Sequence, residues 1–291
     1  MAQIIVNIIV STSIYVLIAL SFVVIYYPTK FFNIAHAAII VIPTYFTYFF
    51  ARQLDLSLWI AIPFSVALAV VVGLLSEVCI YRPLRRREAN SMMLLIASIG
   101  LYTLLQNSIS MFWGDNIKSI RVEDTKVGNQ FLGAYITDIQ IVTILVSAII
   151  FVGYVLFQKY NKIGRNIRAV SSNPELSNVL GIDSKRVILE AFAIASAIAG
   201  VTGILVVFDT DMTPTMGFDL LLYAVVAMII GGIGSIGGLI GGALLLATAQ
   251  HLSAFYIGSQ WMDAVAYFIL ILFLLLNPFG FSGKRLKQVD I

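Results

Sequence analysis

Apolar residues in this chain do not alternate with polar ones but run in long blocks, separated by short polar or charged clusters. Blocks at 4–27, 33–50, 56–80, 91–113, 136–158, 187–208 and 261–277 are candidate spanning helices, and a glycine-interrupted block fills 219–250. Several reach the roughly 20 apolar residues that carry a helix across a bilayer. The pattern predicts an all-α, polytopic integral membrane protein with about 8 transmembrane or re-entrant helical segments. Composition agrees, since 60% of the residues are hydrophobic and 11% charged, where a soluble domain carries roughly twice that charged fraction.

Charge adds orientation. Basic residues cluster in "YRPLRRRE" (81–88), in 159–186 (Lys159, Lys162, Arg165, Arg168, Lys185, Arg186) and in "GKRLK" (283–287), each beside an apolar block. The positive-inside rule places all three in the cytoplasm and removes any need for nucleic acid as a partner. The loop at 114–135 mixes Asp115, Glu123 and Asp124 with Lys118, Arg121 and Lys126. One crossing on either side separates it from the basic loops, so it faces outward. The block at 4–27 has no basic n-region and reads as a retained helix. The N-terminus lies outside if 33–50 crosses the membrane and inside if it re-enters. Cys79, the single cysteine, is expected to be a small core residue near a helix end.

Parity also bears on 219–250. Segment 187–208 starts inside, and the tail after 277 is basic. One long helix at 219–250 would put Lys284, Arg285 and Lys287 outside. A break at "GGIGSIGG" (231–238) gives two pieces of about 15 residues, each about 22 Å long. They form either a re-entrant hairpin or two broken crossings. Backbone broken at membrane depth must be buried in protein or line a watery cavity, so Gly231, Gly232 and Gly234 are candidate pathway residues, tight packing being the alternative. Gly234, Gly238 and Gly242 recur every four residues, as do Ala195, Ala199 and Gly203. Such stripes let helices approach closely, and the two regions are expected to pack together.

The connection "KYNKIGRNIRAVSSNPELSNVLGIDSKR" (159–186) contains the grammar of a short helix at 173–181. Asn173 is the N-cap and Pro174 fits the first helical position. Glu175 meets the positive end of the helix dipole. Leu176, Val179 and Leu180 form an apolar stripe, and Gly181 suits a left-handed C′ position. So short a helix must dock to be stable. Its stripe lies either on the protein's own helices or in a partner's groove, where it would relay the partner's movement.

"FFNIAHAAIIVIPTYF" (31–46) places Asn33, His36 and Pro43 in an apolar block. Asn33 and His36 would share one face of a helix beginning near Asn33. Either Asn33 caps the segment and His36 satisfies broken backbone nearby, or the pair faces a translocation pathway. Pro43 frees a carbonyl near Ile39. No motor is visible, since "GFSGKRL" (280–286) lacks the spacing and hydroxyl of a phosphate-binding loop. No catalytic constellation, cofactor site or metal-ligand cluster appears.

These motifs together resemble the branched-chain amino-acid ABC importer permeases of the LivH/LivM type, the LivH-like branch being the closer match. "FFNIAHAAIIVIPTYF" is similar to that family's N-F-A-H-G segment, with Ala37 in place of the usual Gly and Pro43-Thr44-Tyr45 in place of Gly-Ala-Tyr. "GRNIRAVSSNPELSNVLGIDSKRV" (164–187), "FAIASAIAGVTGIL" (192–205), "PTMGFD" (214–219), "GGIGSIGGLIGGA" (231–243) and "NPFGFSGK" (277–284) resemble its later signatures in order. The resemblance implies one transmembrane permease domain over 1–291 with the ABC importer permease fold, in the bacterial cytoplasmic membrane. It implies a second permease subunit, homologous or identical, two cytoplasmic ATPases that use ATP, and a periplasmic or extracellular substrate-binding protein. The coupling helix at 173–181 would dock on an ATPase. The cargo implied is a branched-chain or other neutral amino acid, with urea or a short amide as the alternative. A stand-alone channel or secondary transporter is the rival from another class.

Overall fold

A computed structural model describes residues 2–120, 128–131, 133–232, 234–277 and 280–281. The basic tail at 283–287 and Arg121, Glu123, Asp124 and Lys126 lie outside the described residues. The elements are α1 (Ala2–Thr29), α2 (His36–Tyr48), α3 (Leu58–Ser76), α4 (Arg82–Arg86), α5 (Ser91–Trp113), β1 (Asn129–Phe131) and β2 (Ala134–Ile136). They continue with α6 (Asp138–Tyr160), α7 (Lys162–Ser172), α8 (Pro174–Val179), α9 (Ser184–Asp209), α10 (Met216–Gly231), α11 (Ile236–Tyr256) and α12 (Met262–Leu276). Turns of π-helix, Phe49–Gln53 and Glu77–Tyr81, prolong α2 and α3. Seven helical stretches among the described residues are long and apolar enough to cross a membrane, and α10 is a shorter apolar helix. The protein is a multi-pass membrane protein, and its regular structure among the described residues is helical apart from one small antiparallel hairpin, β1–β2.

The chain forms two compact units. One comprises Ser21–Thr125 and Ile150–Leu221. At its centre α2 is buried on nearly every side, as expected of a helix that is apolar all round. Its neighbours are α3 and α9. Lipid tails are as apolar as the side chains, so close packing must hold these helices together. Small residues provide it. A Cβ at Gly203 would lie 2.1 Å from the Ile40 carbonyl oxygen, and one at Gly73 2.0 Å from Ser196 Oγ. Gly200 faces Ala69 and Pro43, and Gly217 faces the Ala37 carbonyl. The α9 stripe therefore meets α2 and α3. Backbone hydrogen bonds between Lys118 and Met212, 2.9 and 3.1 Å, close the outer end of this unit, where Tyr45 packs on Trp113.

The other unit comprises Met1–Leu20, Lys126–Ile149 and Leu222–Ile291. Here Gly231, Gly238 and Gly242 bring α10 and α11 into backbone contact. A Cβ at Gly242 would lie 2.1 Å from the Ala227 carbonyl oxygen, and one at Gly231 2.4 Å from that of Gly238. Between the two helices Gly232 (φ 93°) and Gly234 (φ 112°) take left-handed conformations, open to glycine at no steric cost. Ser235 then caps α11 by accepting from the Gly238 amide.

Two questions left open by the sequence have structural answers. The Gln3 side chain bonds both backbone groups of Tyr135, at 2.8 and 3.0 Å. The N-terminus thus sits with the β1–β2 hairpin, on the side that the charge pattern assigns to the outside. At the other face the Phe281 amide donates to the Ile230 carbonyl, 3.0 Å, and Gly280 abuts Gly232. The α10–α11 turn therefore reaches the level at which spanning α12 has ended, so the pair makes two crossings, not a re-entrant hairpin.

Three sequence expectations need correction. The second arm of 219–250 is not about 15 residues but 21. Gln250 and His251 do not end it, because Tyr15 and Ser11 satisfy them. Cys79 is exposed rather than core, since the π-turn rotates it away from its neighbours Glu77 and Tyr81, which are buried. Asn33 lies outside α2, which begins at His36 with Ala35 at the N-cap and no side-chain cap.

Packing at Gly203 predicts a paired result. Gly203→Ala should lower the melting temperature of the purified protein, overpacking costing about 1–3 kcal/mol. Gly100→Ala, mid-helix with open space around its Cβ, should leave it unchanged or raise it slightly, alanine being worth up to about 1 kcal/mol over glycine in a helix.

Candidate functional site

The break before α2 is built from buried hydrogen bonds. The chain leaves α1 at Thr29 and becomes helical again at His36. Its exposed backbone groups need partners where water is scarce. Ser98 of α5 provides them. Its Oγ accepts from the Ile34 amide at 3.1 Å and lies 3.3 Å from the Phe32 carbonyl. Asn33 and His36 are both fully buried, yet neither plays the part expected of it as a cap or backbone partner. The Asn33 Oδ1 accepts from the Tyr81 hydroxyl at 2.7 Å, and His36 Nε2 sits 2.9 Å from Ser21 Oγ. Asn33 Nδ2 and His36 Nδ1 have no partner among the described residues, so each keeps a free polar atom at this break.

Tyr81 closes the π-turn whose first residue, Glu77, is buried and ion-paired with Arg85. Breaking such a pair strands an uncompensated charge, which is strongly destabilising. The break, the π-turn and the basic turn α4 are thus one connected polar assembly at the inner end of this unit. Ser21, Tyr81 and Ser98 were not singled out from sequence. Their signal is a polar residue inside an apolar block, which by itself names no partner. Asn33 and His36 belong to one compact unit, and Gly231, Gly232 and Gly234 to the other, where they form the α10–α11 turn.

The connection 159–186 is more structured than its sequence suggested. Helix α7 was not anticipated, although Asn161 caps it by accepting from the Ile163 amide. Ile163, Ile167 and Val170 mark its helical spacing, and the last two are buried against α9. Gly164 permits a sharp corner with α6, a Cβ there lying 2.5 Å from the Phe157 carbonyl oxygen. Arg168 Nη2 donates to the Gln158 carbonyl at 2.6 Å.

Helix α8 follows the expected grammar with its regular part shortened to Pro174–Val179. The Asn173 Oδ1 accepts from the Leu176 amide at 2.9 Å, and Gly181 adopts φ 82°. One side of α8 is bound to the start of α9. Asn178 Oδ1 accepts from both the amide (3.1 Å) and the hydroxyl (2.8 Å) of Ser184, while Ser177 is buried. The other side is bare, with Leu176 55%, Val179 83% and Leu180 71% exposed. Of the two positions open to the stripe, the first is not taken by any helix among the described residues.

A family model described as "Branched-chain amino acid transport system / permease component" matches residues 4–275. The chain belongs to this family. Members are transport permeases rather than enzymes. Among relatives, the high-affinity branched-chain amino acid transport system permease protein LivH of Escherichia coli K12 is 31% identical, with 94% of this chain and 92% of the relative aligned. LivH of Salmonella typhimurium is 30% identical over the same shares, and BraD of Pseudomonas aeruginosa 31%. The expected permease signatures between 31 and 243 therefore lie within one matched region that includes the break, α8 and the α10–α11 turn, and "NPFGFSGK" (277–284) falls beyond its end.

The geometry of α8 predicts a local effect. Gly181→Val forces a β-branched residue into a left-handed conformation, at about 1–2 kcal/mol, with open space around the new Cβ. Amide exchange across 174–184 should accelerate about tenfold or more, while the interior of α9 keeps its protection. Unchanged exchange in 174–184 would count against this cap.

Proposed function

We propose that this chain is the permease subunit of an ATP-driven importer for branched-chain or other neutral amino acids in the bacterial cytoplasmic membrane. The observation that carries the reading is the bare stripe Leu176–Val179–Leu180 on a helix whose other side is bound to α9, in a chain of this permease family. A cytoplasmic ATPase covers the stripe, two ATPases and a second, homologous or identical permease subunit completing the membrane complex. A soluble binding protein delivers cargo to the outer face. ATP is bound and hydrolysed on the partners, and this chain binds no cofactor.

Movement of the ATPase enters through α8 and passes by Asn178 and Ser184 into α9. Gly200 and Gly203 hold α9 against Pro43 and Ile40 of α2, so a shift of α9 displaces α2 and the break before it. Backbone contacts this close leave little slack, and a packed interior transmits strain rather than absorbing it. Asn33 and His36, each with a polar atom to spare, then present hydrogen-bonding groups to cargo. Gly231, Gly232 and Gly234 allow the α10–α11 turn to adjust. Freed backbone groups at such breaks suit a zwitterion, amides meeting its carboxylate and carbonyls its ammonium.

Uptake by the complex reconstituted with both ATPases and a binding protein tests this reading. Leucine or another neutral amino acid should accumulate with ATP, and urea should not. Leu176→Asp with Leu180→Asp should lower uptake about tenfold or more, equivalent to ~1.4 kcal/mol of lost docking energy, with membrane insertion intact. Solute movement through the chain alone in liposomes, without ATP and at the rate of whole cells, would overturn the importer assignment.

A further inference from the structure

Helix α1 carries a polar stripe that the proposed coupling route does not use. Gln3, Asn7, Ser11 and Tyr15 recur every four residues, on one helical face, and span about 18 Å along the axis. The stripe starts at the outer surface, where Gln3 holds Tyr135. Deeper in, Ser11 Oγ lies 2.8 Å from His251 Nε2, and the Tyr15 hydroxyl donates to Gln250 Oε1 at 2.6 Å. Tyr15 also packs on Tyr223, ring centroids 5.2 Å apart, and the Tyr223 hydroxyl donates to Asp263. Below Tyr15 the helix turns wholly apolar at Leu17–Leu20, each residue fully buried. All these groups belong to one compact unit.

Such a stripe in a spanning helix either fastens helices together or borders water. Fastening needs one or two hydrogen bonds, each worth about 0.6 kcal/mol on average in a membrane. This stripe is longer, opens at the surface and holds more polar groups than it pairs. Thr12 Oγ1 beside Ser11, and Ser253 Oγ one turn beyond Gln250, are buried without a partner among the described residues. Native proteins satisfy such oxygens with water or a ligand. Intramembrane polar residues facing an interior cavity mark solute pathways.

We propose that Gln3, Asn7, Ser11 and Tyr15, with Gln250 and His251, line a wetted inlet that admits a small neutral zwitterion from the outer face and is closed below Tyr15. The zwitterion as cargo rests on the importer reading. Asp263 lies beside the inlet through Tyr223 and offers a carboxylate to an ammonium group. Ser11, Gln250 and His251 supply neutral hydrogen-bonding groups along the way.

Cysteine accessibility tests the inlet in the full complex, in proteoliposomes with the outer face exposed. In a Cys79→Ser background, Asn7→Cys and Ser11→Cys are compared with Ile5→Cys and Ile9→Cys, whose native side chains are 58% and 44% exposed on α1. A charged, membrane-impermeant methanethiosulfonate should modify the stripe cysteines about tenfold faster or more, because a thiol in hydrocarbon forms little thiolate. Modified Ser11→Cys complex should lose amino-acid uptake, and modified Ile5→Cys complex should retain it. Equal labelling at all four positions overturns the inlet, as does full uptake through modified Ser11→Cys. Asn7→Cys still reads accessibility if Ser11→Cys does not fold. Selective labelling in a complex that never imports amino acids would sink the importer reading and leave the inlet standing.

Discussion

Non-helical backbone at membrane depth must find its hydrogen bonds inside the protein, and the stretch between α1 and α2 is where this constraint is met. Residues 31–35 are held by Ser98 from α5, by the Tyr81 hydroxyl on Asn33 and by the Ser21–His36 contact. Three helices therefore fix a segment of a few residues. Much else in that unit follows from keeping them in place. The π-turn sets Tyr81, and the buried Glu77–Arg85 pair sets the π-turn. Small residues on α9 let α2 sit close enough for the break to be covered.

The same packing that satisfies the break makes it mechanically addressable. Side chains of ordinary size would leave α2 and α9 separated by flexible groups that could rearrange under load. At Gly203 the backbone of α9 instead meets the backbone of α2 directly. A displacement delivered to the start of α9 is then carried without a change of rotamers. The connection 159–186 has the matching design, with Asn178 and Ser184 fastening α8 to that start while its apolar side chains point away. A helix of 6 residues has too few internal hydrogen bonds to persist unsupported. Its hydrogen bonds to Ser184 explain how it can present a bare face.

The second unit solves a different problem with the same residue type. Two helices run back through the membrane from a turn of four residues, which requires left-handed backbone at Gly232 and Gly234 and contact distance at Gly231, Gly238 and Gly242. The polar groups of α1, α11 and α12 in this unit are more numerous than helix fastening needs. That surplus, along with the unpaired Thr12 and Ser253 oxygens, distinguishes a wetted region from glue.

What the sequence determined by itself is what depends on short-range physics. Block length places the spanning helices, basic clusters orient the loops, and Asn173, Pro174 and Gly181 write α8 into the chain almost residue by residue. Helix α7 was equally legible through Asn161, Ile163, Ile167 and Val170 but was hidden by the charges between them. The tertiary structure decided whatever depends on a partner distant in sequence. Asn33 and His36 were visible as oddities, yet Tyr81 and Ser21, 48 and 15 residues away, determine what each one does. The placing of the N-terminus beside the β1–β2 hairpin rests on Gln3 meeting Tyr135, 132 residues on. Hydropathy could not choose between a re-entrant hairpin and two crossings at 219–250, because both satisfy parity and both need the same glycines. The contact of Gly280 and Phe281 with the turn chose, since it fixes how deep the turn lies.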